Sequence, residues 1–167
     1  MERLQQYDVV VVGGGTAGVS AAVGAAKTGA KTLLIERNAY LGGEATNSGV
    51  SAFCGFYTCG ENPVRVVEGV GRLVLNEMEA LGPTVDYVIS ATGNRNINFQ
   101  PEYLKCAMDN LLEKERVDYL LHTSVIGADT ENGTITAIHC VDDEGTFTVA
   151  AKAFVDASGD ANLARLA

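Results

Sequence analysis

The sequence predicts an α/β fold with a central parallel sheet and helices packed on it. Three observations carry this. An apolar, β-branched run, Val9–Val12, leads into Gly13, Gly15 and Gly18 at the spacing G-x-G-x-x-G. A helical pattern rich in Ala and Val follows from Thr16 to about Thr28, with Gly29 at the expected helix stop. A second apolar run, Thr32–Ile35, ends on Glu36. Strand, tight turn, helix, strand and acid, in that order, make a dinucleotide-binding unit.

Each residue type in the unit has a physical task. Gly13 permits the sharp turn off the strand, Gly15 lets a pyrophosphate approach the backbone, and Gly18 lets the helix pack close to the strand. The first helical turn, with Thr16 and Ala17, offers unpaired N–H groups and the positive end of the helix dipole to phosphates. Glu36 follows Gly18 by eighteen residues, near the usual interval of about 20. Its carboxylate can accept hydrogen bonds from both hydroxyls of an adenosine ribose and would repel a 2′-phosphate. After Arg37, the pair Gly42-Gly43 suits either a second close backbone approach to a long ligand or an ordinary turn.

The remaining elements follow in order. Residues 44–61 mix Gly, Ser, Thr and Asn with Phe53, Phe56 and Tyr57 and read as irregular structure. Pro63 to Leu81 reads as an amphipathic helix, with Val66, Val67, Val70, Val74, Met78 and Leu81 at three- and four-residue steps and Gly82-Pro83 as its stop. Thr84 to Gln100 is ambiguous: Val85, Tyr87 and Ile89 alternate like a short strand, and the Asn-rich remainder reads as loop. Ala91-Thr92-Gly93 imitates a nucleotide-site tripeptide without a buried strand before it. Pro101 to Lys114 is a helix whose apolar face leaves Cys106 outside. Asp118 to Thr123 reads as a buried parallel strand that holds His122. Ser124–Asp129 continues that strand or bends away, Glu131-Asn132-Gly133 is a hairpin turn signal, and Thr134–Val141 and Thr146–Lys152 are the arms of a β-meander. Ala153–Asp156 is a last short strand, followed by Ala157-Ser158-Gly159-Asp160 and a helix from Ala161.

Composition narrows the function classes. The chain has 167 residues and a net charge of −9, which disfavours nucleic acid or an anionic membrane as partner. No apolar run approaches the ~20 residues of a membrane span. The opening MERLQQYD lacks the layout of a signal peptide. Cys54, Cys59, Cys106 and Cys140 then read as cytoplasmic thiols. The histidines lack convergent partners at zinc-like spacing, so no metal site is expected. Cys54 and Cys59 leave a thiol–disulfide activity open as an alternative, and a non-catalytic module binding NAD or ADP is another.

Taken together, GGGTAG with Glu36-Arg37, Gly42-Gly43, PEYLKCAMDNLLEKERVDYLLHTSV, the hairpin and VDASGDANLA resemble the FAD-dependent oxidoreductases of the glutathione-reductase-like superfamily, which are related to fumarate reductase flavoproteins. The resemblance covers nearly the whole chain. It implies a Rossmann-like FAD/NAD(P)-binding fold with a β-meander crossover, FAD as cofactor, and hydride transfer through the flavin to a small-molecule substrate. It further implies that Ser124 and Val125 touch adenine through backbone. Ala157, Ser158, Gly159 and Asp160 would approach the pyrophosphate and ribityl chain, and Gly42, Gly43 and Ala45 would lie towards the flavin ring. Members of the family normally continue past the Gly-Asp pair into a substrate domain. Residues 1–167 are therefore expected to be an amino-terminal FAD-binding portion, whose catalytic residues lie elsewhere and whose uncovered surface favours self-association or a partner chain.

Overall fold

A computed structural model describes residues 5–83 and 85–167. Met1–Leu4, on which part of the signal-peptide argument rests, and Thr84, where the ambiguous stretch begins, lie outside the described residues. The chain divides into two compact units, residues 1–43 with 112–167 and residues 44–111.

The first unit holds the predicted core. Strand β1 (Gln5–Val12) leads through the glycine turn into helix α1 (Thr16–Lys27) and strand β2 (Thr32–Ile35). Gly29 ends this helix segment at φ +89°, a left-handed conformation that glycine adopts at least cost. Val10 and Val12 face one side of the sheet with Leu33 and Ile35, while Val11 and Leu34 face the other, and all six are buried. Burial on both faces is what parallel strands with helical cover require. Strand β6 (Asp118–Leu120) extends the parallel ladder along β2, pairing Leu33 with Asp118.

The meander does more than connect strands. Strands β7 (Ser124–Glu131) and β8 (Thr134–Asp142) form a hairpin, and Asn132 and Gly133 at its tip both have positive φ. The expected meander arm and final short strand are one long strand, β9 (Gly145–Asp156). Its first part pairs antiparallel with β8, and from Val149 onward it pairs parallel with β1. The result is a six-stranded sheet in the order β6-β2-β1-β9-β8-β7, mostly parallel, with the meander as its antiparallel flank.

That order dictates curvature. Strands β6 and β7 are five strand steps apart in the sheet, which in a flat sheet is roughly 24 Å at about 4.8 Å per step. Yet Leu120 and Ser124 are joined by a chain that reaches at most about 14 Å. The sheet therefore coils, and the start of β7 returns beside the end of β2, where Thr123 N–H donates to the Glu36 carbonyl at 3.0 Å. Helix α5 (Asn162–Leu166) covers the coiled face and adds Leu163 to the cluster of Val10, Ile35, Ile138, Cys140 and Val149. Cys140 is buried there, and burial together with Asp142 pushes its thiol up to about 12.

Two sequence expectations change here. Strand β6 stops at Leu120 and is half-exposed, because it is an edge strand. His122 is consequently not in a strand: it is exposed in the turn at φ +52°, with its N–H donated to the Asn38 carbonyl. His139 lies in β8, hydrogen-bonded to Asp129 at 2.9 Å and to Thr148 at 3.3 Å.

The second unit departs further from expectation. It contains the one-turn helix α2 (Glu44–Asn47), the short strand β3 (Ala52–Phe53), helix α3 (Val70–Ala80), strands β4 (Val85–Ile89) and β5 (Arg95–Phe99), and most of helix α4 (Pro101–Lys114). Helix α3 starts seven residues later than the periodicity predicts. Residues 64–66 instead lie against residues 56–58, with Thr58 N–H donating to the Val64 carbonyl and Val66 N–H to the Phe56 carbonyl. Gly69 then breaks the chain at φ +67°. The Asn-rich tail is strand β5, central in a β3-β5-β4 sheet, because Ile97 and Phe99 are buried and Phe53 stacks on Phe99 at 4.5 Å. Ala91-Thr92-Gly93 is the turn of that hairpin, with Gly93 N–H donating to the Ser90 carbonyl. Among the described residues no helix is long and apolar enough to cross a membrane.

The packing around α1 predicts opposite outcomes for two glycines of one helix. A Cβ at Gly18 would overlap the Gly13 carbonyl, whereas one at Gly24 meets nothing within 4 Å. Gly18→Ala should lower stability by about 3 kcal/mol or more through overpacking. Gly24→Ala should raise it by about 0.5–1 kcal/mol. Denaturant unfolding of both variants checks the pair.

Candidate functional site

The site is assembled where the ends of β1, β2 and β9 meet the start of α1. Ala157 N–H donates to the Val12 carbonyl at 2.8 Å, and Gly13 N–H to the Ile35 carbonyl at 2.8 Å. A Cβ at Gly13 would overlap the Ala157 carbonyl and come within 2.8 Å of the Ser158 Cα. Gly13 and Gly18 are thus glycines for packing reasons. Gly15 is different: at φ −68° any residue could adopt its backbone, and a Cβ there meets only the Gly43 Cα at 3.8 Å. It caps α1 without a side-chain hydrogen bond, and Thr16 and Ala17 beside it are exposed. Gly15 also bridges to Gly42, and the exposed first turn of this twelve-residue helix is the kind of helix start that binds phosphate.

Glu36 is buried at the end of β2, with 6% of its surface exposed. Its Oε2 accepts from Gly14 N–H at 2.6 Å, and its Oε1 accepts from both the N–H and the Nδ2 of Asn38 at 2.7 Å. A carboxylate offers about four acceptor positions, so the remaining one on Oε2 can serve a ribose hydroxyl. The same carboxylate also holds the glycine turn against β2. Asn38 escaped the sequence reading because nothing in its local pattern marks it.

A cleft of about 350 Å3 opens beside Glu36, lined by Gly13, Arg37, Ser124, Val125 and Ser158 among others. The lining also includes Ile126 from β7 and Asn162 and Arg165 from α5. These last three were not legible in the sequence, because only the coiling of the sheet brings β7 and α5 to the end of β2. The loop after β9 is organised by Asp156. Its Oδ1 accepts from Ser158 N–H at 3.0 Å and Ser158 Oγ at 2.6 Å, and its Oδ2 accepts from Ala164 N–H at 2.9 Å. Partial burial raises this carboxyl, but the hydrogen bonds from Ser158, Ala164 and Leu163 outweigh it and hold the group below its ordinary value.

The other expected residues fall as follows. Ala157 packs against the glycine turn, and Gly159 has φ +88° in the loop. Asp160 is exposed and is not among the cleft-lining residues. Gly42 N–H donates to the Gly14 carbonyl, and a Cβ on Gly43 would lie 3.0 Å from the Gly15 Cα. The paired glycines thus have a task within the chain, the close approach of a second turn to the first. Ala45 is buried in α2 of the second unit. Cys54 and Cys59 are free, exposed thiols, and Cys59 Sγ donates to Asn94 Oδ1 at 2.8 Å.

The residues fit a dinucleotide with an ADP moiety: open helix amides with space at Gly15 for a diphosphate, a buried carboxylate for the ribose, and a cleft beyond it. Comparison with known proteins agrees. A family model described as FAD dependent oxidoreductase matches residues 8–167. A digeranylgeranylglycerophospholipid reductase of Methanospirillum hungatei is 30% identical over 125 residues, covering 75% of this chain and 26% of that protein. A glutathione reductase of Yarrowia lipolytica is 53% identical over 49 residues, 29% of this chain and 10% of that protein. The chain thus spans about a quarter or less of the length of these curated relatives. The crystal structure of THI4 from Thermovibrio ammonificans superposes with a TM-score of 0.64 at 19% identity, covering 97% of this chain and 63% of that one. At that identity it shows the shared fold.

Two outcomes follow from the carboxylates. Glu36→Ala leaves Gly14 N–H buried without a partner and should cost about 1–3 kcal/mol of stability, apart from any effect on ligand; chemical unfolding without ligand measures it. Because Asp156 is held below its unfolded value, its contribution is complete above about pH 4 and is lost as the pH falls further. Asp156→Asn should flatten the acid limb of the stability curve, and a curve parallel to that of the parent would contradict the role given to Asp156.

Proposed function

This chain belongs to the FAD dependent oxidoreductase family, and from that premise we propose that its first unit binds the ADP half of FAD within a flavin-dependent oxidoreductase. FAD is its cofactor, and the observation that carries the assignment of residues is the open end of α1 at Gly15. In this reading the amides of Gly15, Thr16 and Ala17 hold the pyrophosphate, with Gly13 and Gly18 shaping the turn. Glu36 takes an adenosine ribose hydroxyl, and its negative charge excludes a 2′-phosphate. The backbone of Ser124 and Val125, with Arg37 alongside, borders the adenine. Ala157, Ser158, Gly159 and Asp160 flank the path from pyrophosphate to ribityl chain.

Bound flavin supplies the redox chemistry by accepting and donating hydride, and the protein supplies position and electrostatics. The names of the two relatives, both reductases, support redox chemistry at the flavin. A thiol–disulfide mechanism at Cys54 and Cys59 has less support, since the Cys59 thiol is engaged by Asn94.

Isothermal titration with FAD and ADP tests the reading. Both ligands should bind, with ADP within about tenfold, 1.4 kcal/mol, of FAD, since the residues described grip the ADP portion. Gly15→Val should reduce affinity for both by more than about tenfold. Gly15→Ala, whose methyl has room, should keep the parent's thermal stability while also weakening binding. Unchanged affinity in both variants would overturn the placement of the pyrophosphate.

A further inference from the structure

We propose that Arg165, on helix α5, is a nucleotide-recognition residue that with Arg37 makes the cleft locally positive and draws in the anionic diphosphate. The inference rests on the ADP-site reading above and adds a residue from a different part of the chain.

The argument starts from charge. The chain carries twelve Lys and Arg against twenty-one Asp and Glu. Its overall field therefore opposes an approaching nucleotide, and any attraction must be local. Most cations near the sheet are engaged. Lys27 pairs with Glu115 at 3.4 Å and Lys152 with Asp8 at 2.7 Å. Lys31 donates to the Gln6 carbonyl at 3.2 Å and sits over the Tyr7 ring. Arg37 and Arg165 are exposed, their guanidinium groups make no hydrogen bond or ion pair among the described residues, and both line the cleft beside Gly13. The only carboxylate in that lining is Glu36, whose charge is already met by Gly14 and Asn38 donors.

Position is the second part. Arg165 follows the turn that Asp156 and Ser158 organise: Ser158 Oγ accepts from Asn162 N–H at 2.8 Å, and Asp156 accepts from Ala164 N–H. Leu163 is buried on one side of the short helix, and Asn162, Arg165 and Leu166 line the cleft. The backbone before Arg165 is thus fixed by hydrogen bonds and by one apolar anchor, while its guanidinium remains free. Arginine suits this place, since it stays charged at any relevant pH and presents a fork of donors to phosphate oxygens.

The test is calorimetric titration of ADP against the parent, Arg165→Gln, Arg37→Gln and Arg165→Lys, each at low and high salt. If the parent binds no ADP, the nucleotide reading itself fails. If the parent binds, Arg165→Gln should lose up to about fivefold in affinity at low salt, and the loss should shrink at high salt as screening removes the charge term. Arg165→Lys should recover most of the loss, and the salt dependence of binding should be shallower in Arg165→Gln than in the parent. An Arg165→Gln variant that binds like the parent at low salt, or whose deficit persists unchanged at high salt, would overturn the inference while leaving the nucleotide reading intact.

Discussion

Three pieces of backbone meet at Gly13 with no space for a side chain, and the rest of the first unit depends on that meeting. The Gly13 carbonyl lies where a Cβ on Gly18 would sit, and the Ala157 carbonyl lies where a Cβ on Gly13 would sit. Helix α1 can therefore approach β1 only as closely as two hydrogen atoms allow, and the end of β9 is fixed to the same point through Ala157 N–H on Val12. The helix axis, the adjacent strand ends and the loop after β9 are set by one steric constraint. With α1 held so close, its first turn, exposed at Thr16 and Ala17, lies beside the end of β1.

Glu36 adds a polar constraint to the steric one. A nearly buried carboxylate needs donors, and here Gly14 and Asn38 supply them. The same group therefore fixes the turn, the exit of β2 and one wall of the cleft. Asp156 does the equivalent for β9, tying Ser158 and α5 to the strand that ends beside the glycine turn. Two carboxylates at the carboxyl ends of neighbouring parts of one sheet thus support a site at the place where ligands bind in open α/β sheets.

Legibility from sequence followed the range of the interactions. Elements set by local pattern, such as β2 at Thr32–Ile35, α1 and α4, were readable to within a residue or so because periodicity and stop signals are local. Glu36 was readable because its distance from the glycines is a property of one β-α-β unit. The start of α3 was misread because the valine periodicity continues through residues 64–67, which are bonded as extended chain to residues 56–58. Strand β5 was missed because its asparagines obscure an alternation that only the aromatic contacts of Phe53 and Phe99 make meaningful. Asn38 was invisible because nothing in the local pattern marks a donor two residues after Glu36, and Asn162 and Arg165 because the coiling of the sheet, which follows from strand order and not from any local motif, brings them to the cleft.

The central claim is that these backbone constraints build an ADP-binding site in the first unit, and amide-resolved NMR of the chain during ADP titration tests it most directly. The account predicts saturable shifts concentrated at Gly13, Gly15, Thr16, Glu36, Ser124, Val125 and Ser158, with the helix amides at Gly15 and Thr16 among the largest. Absence of saturable shifts, or shifts centred on residues 44–111 with the glycine turn unmoved, would contradict it.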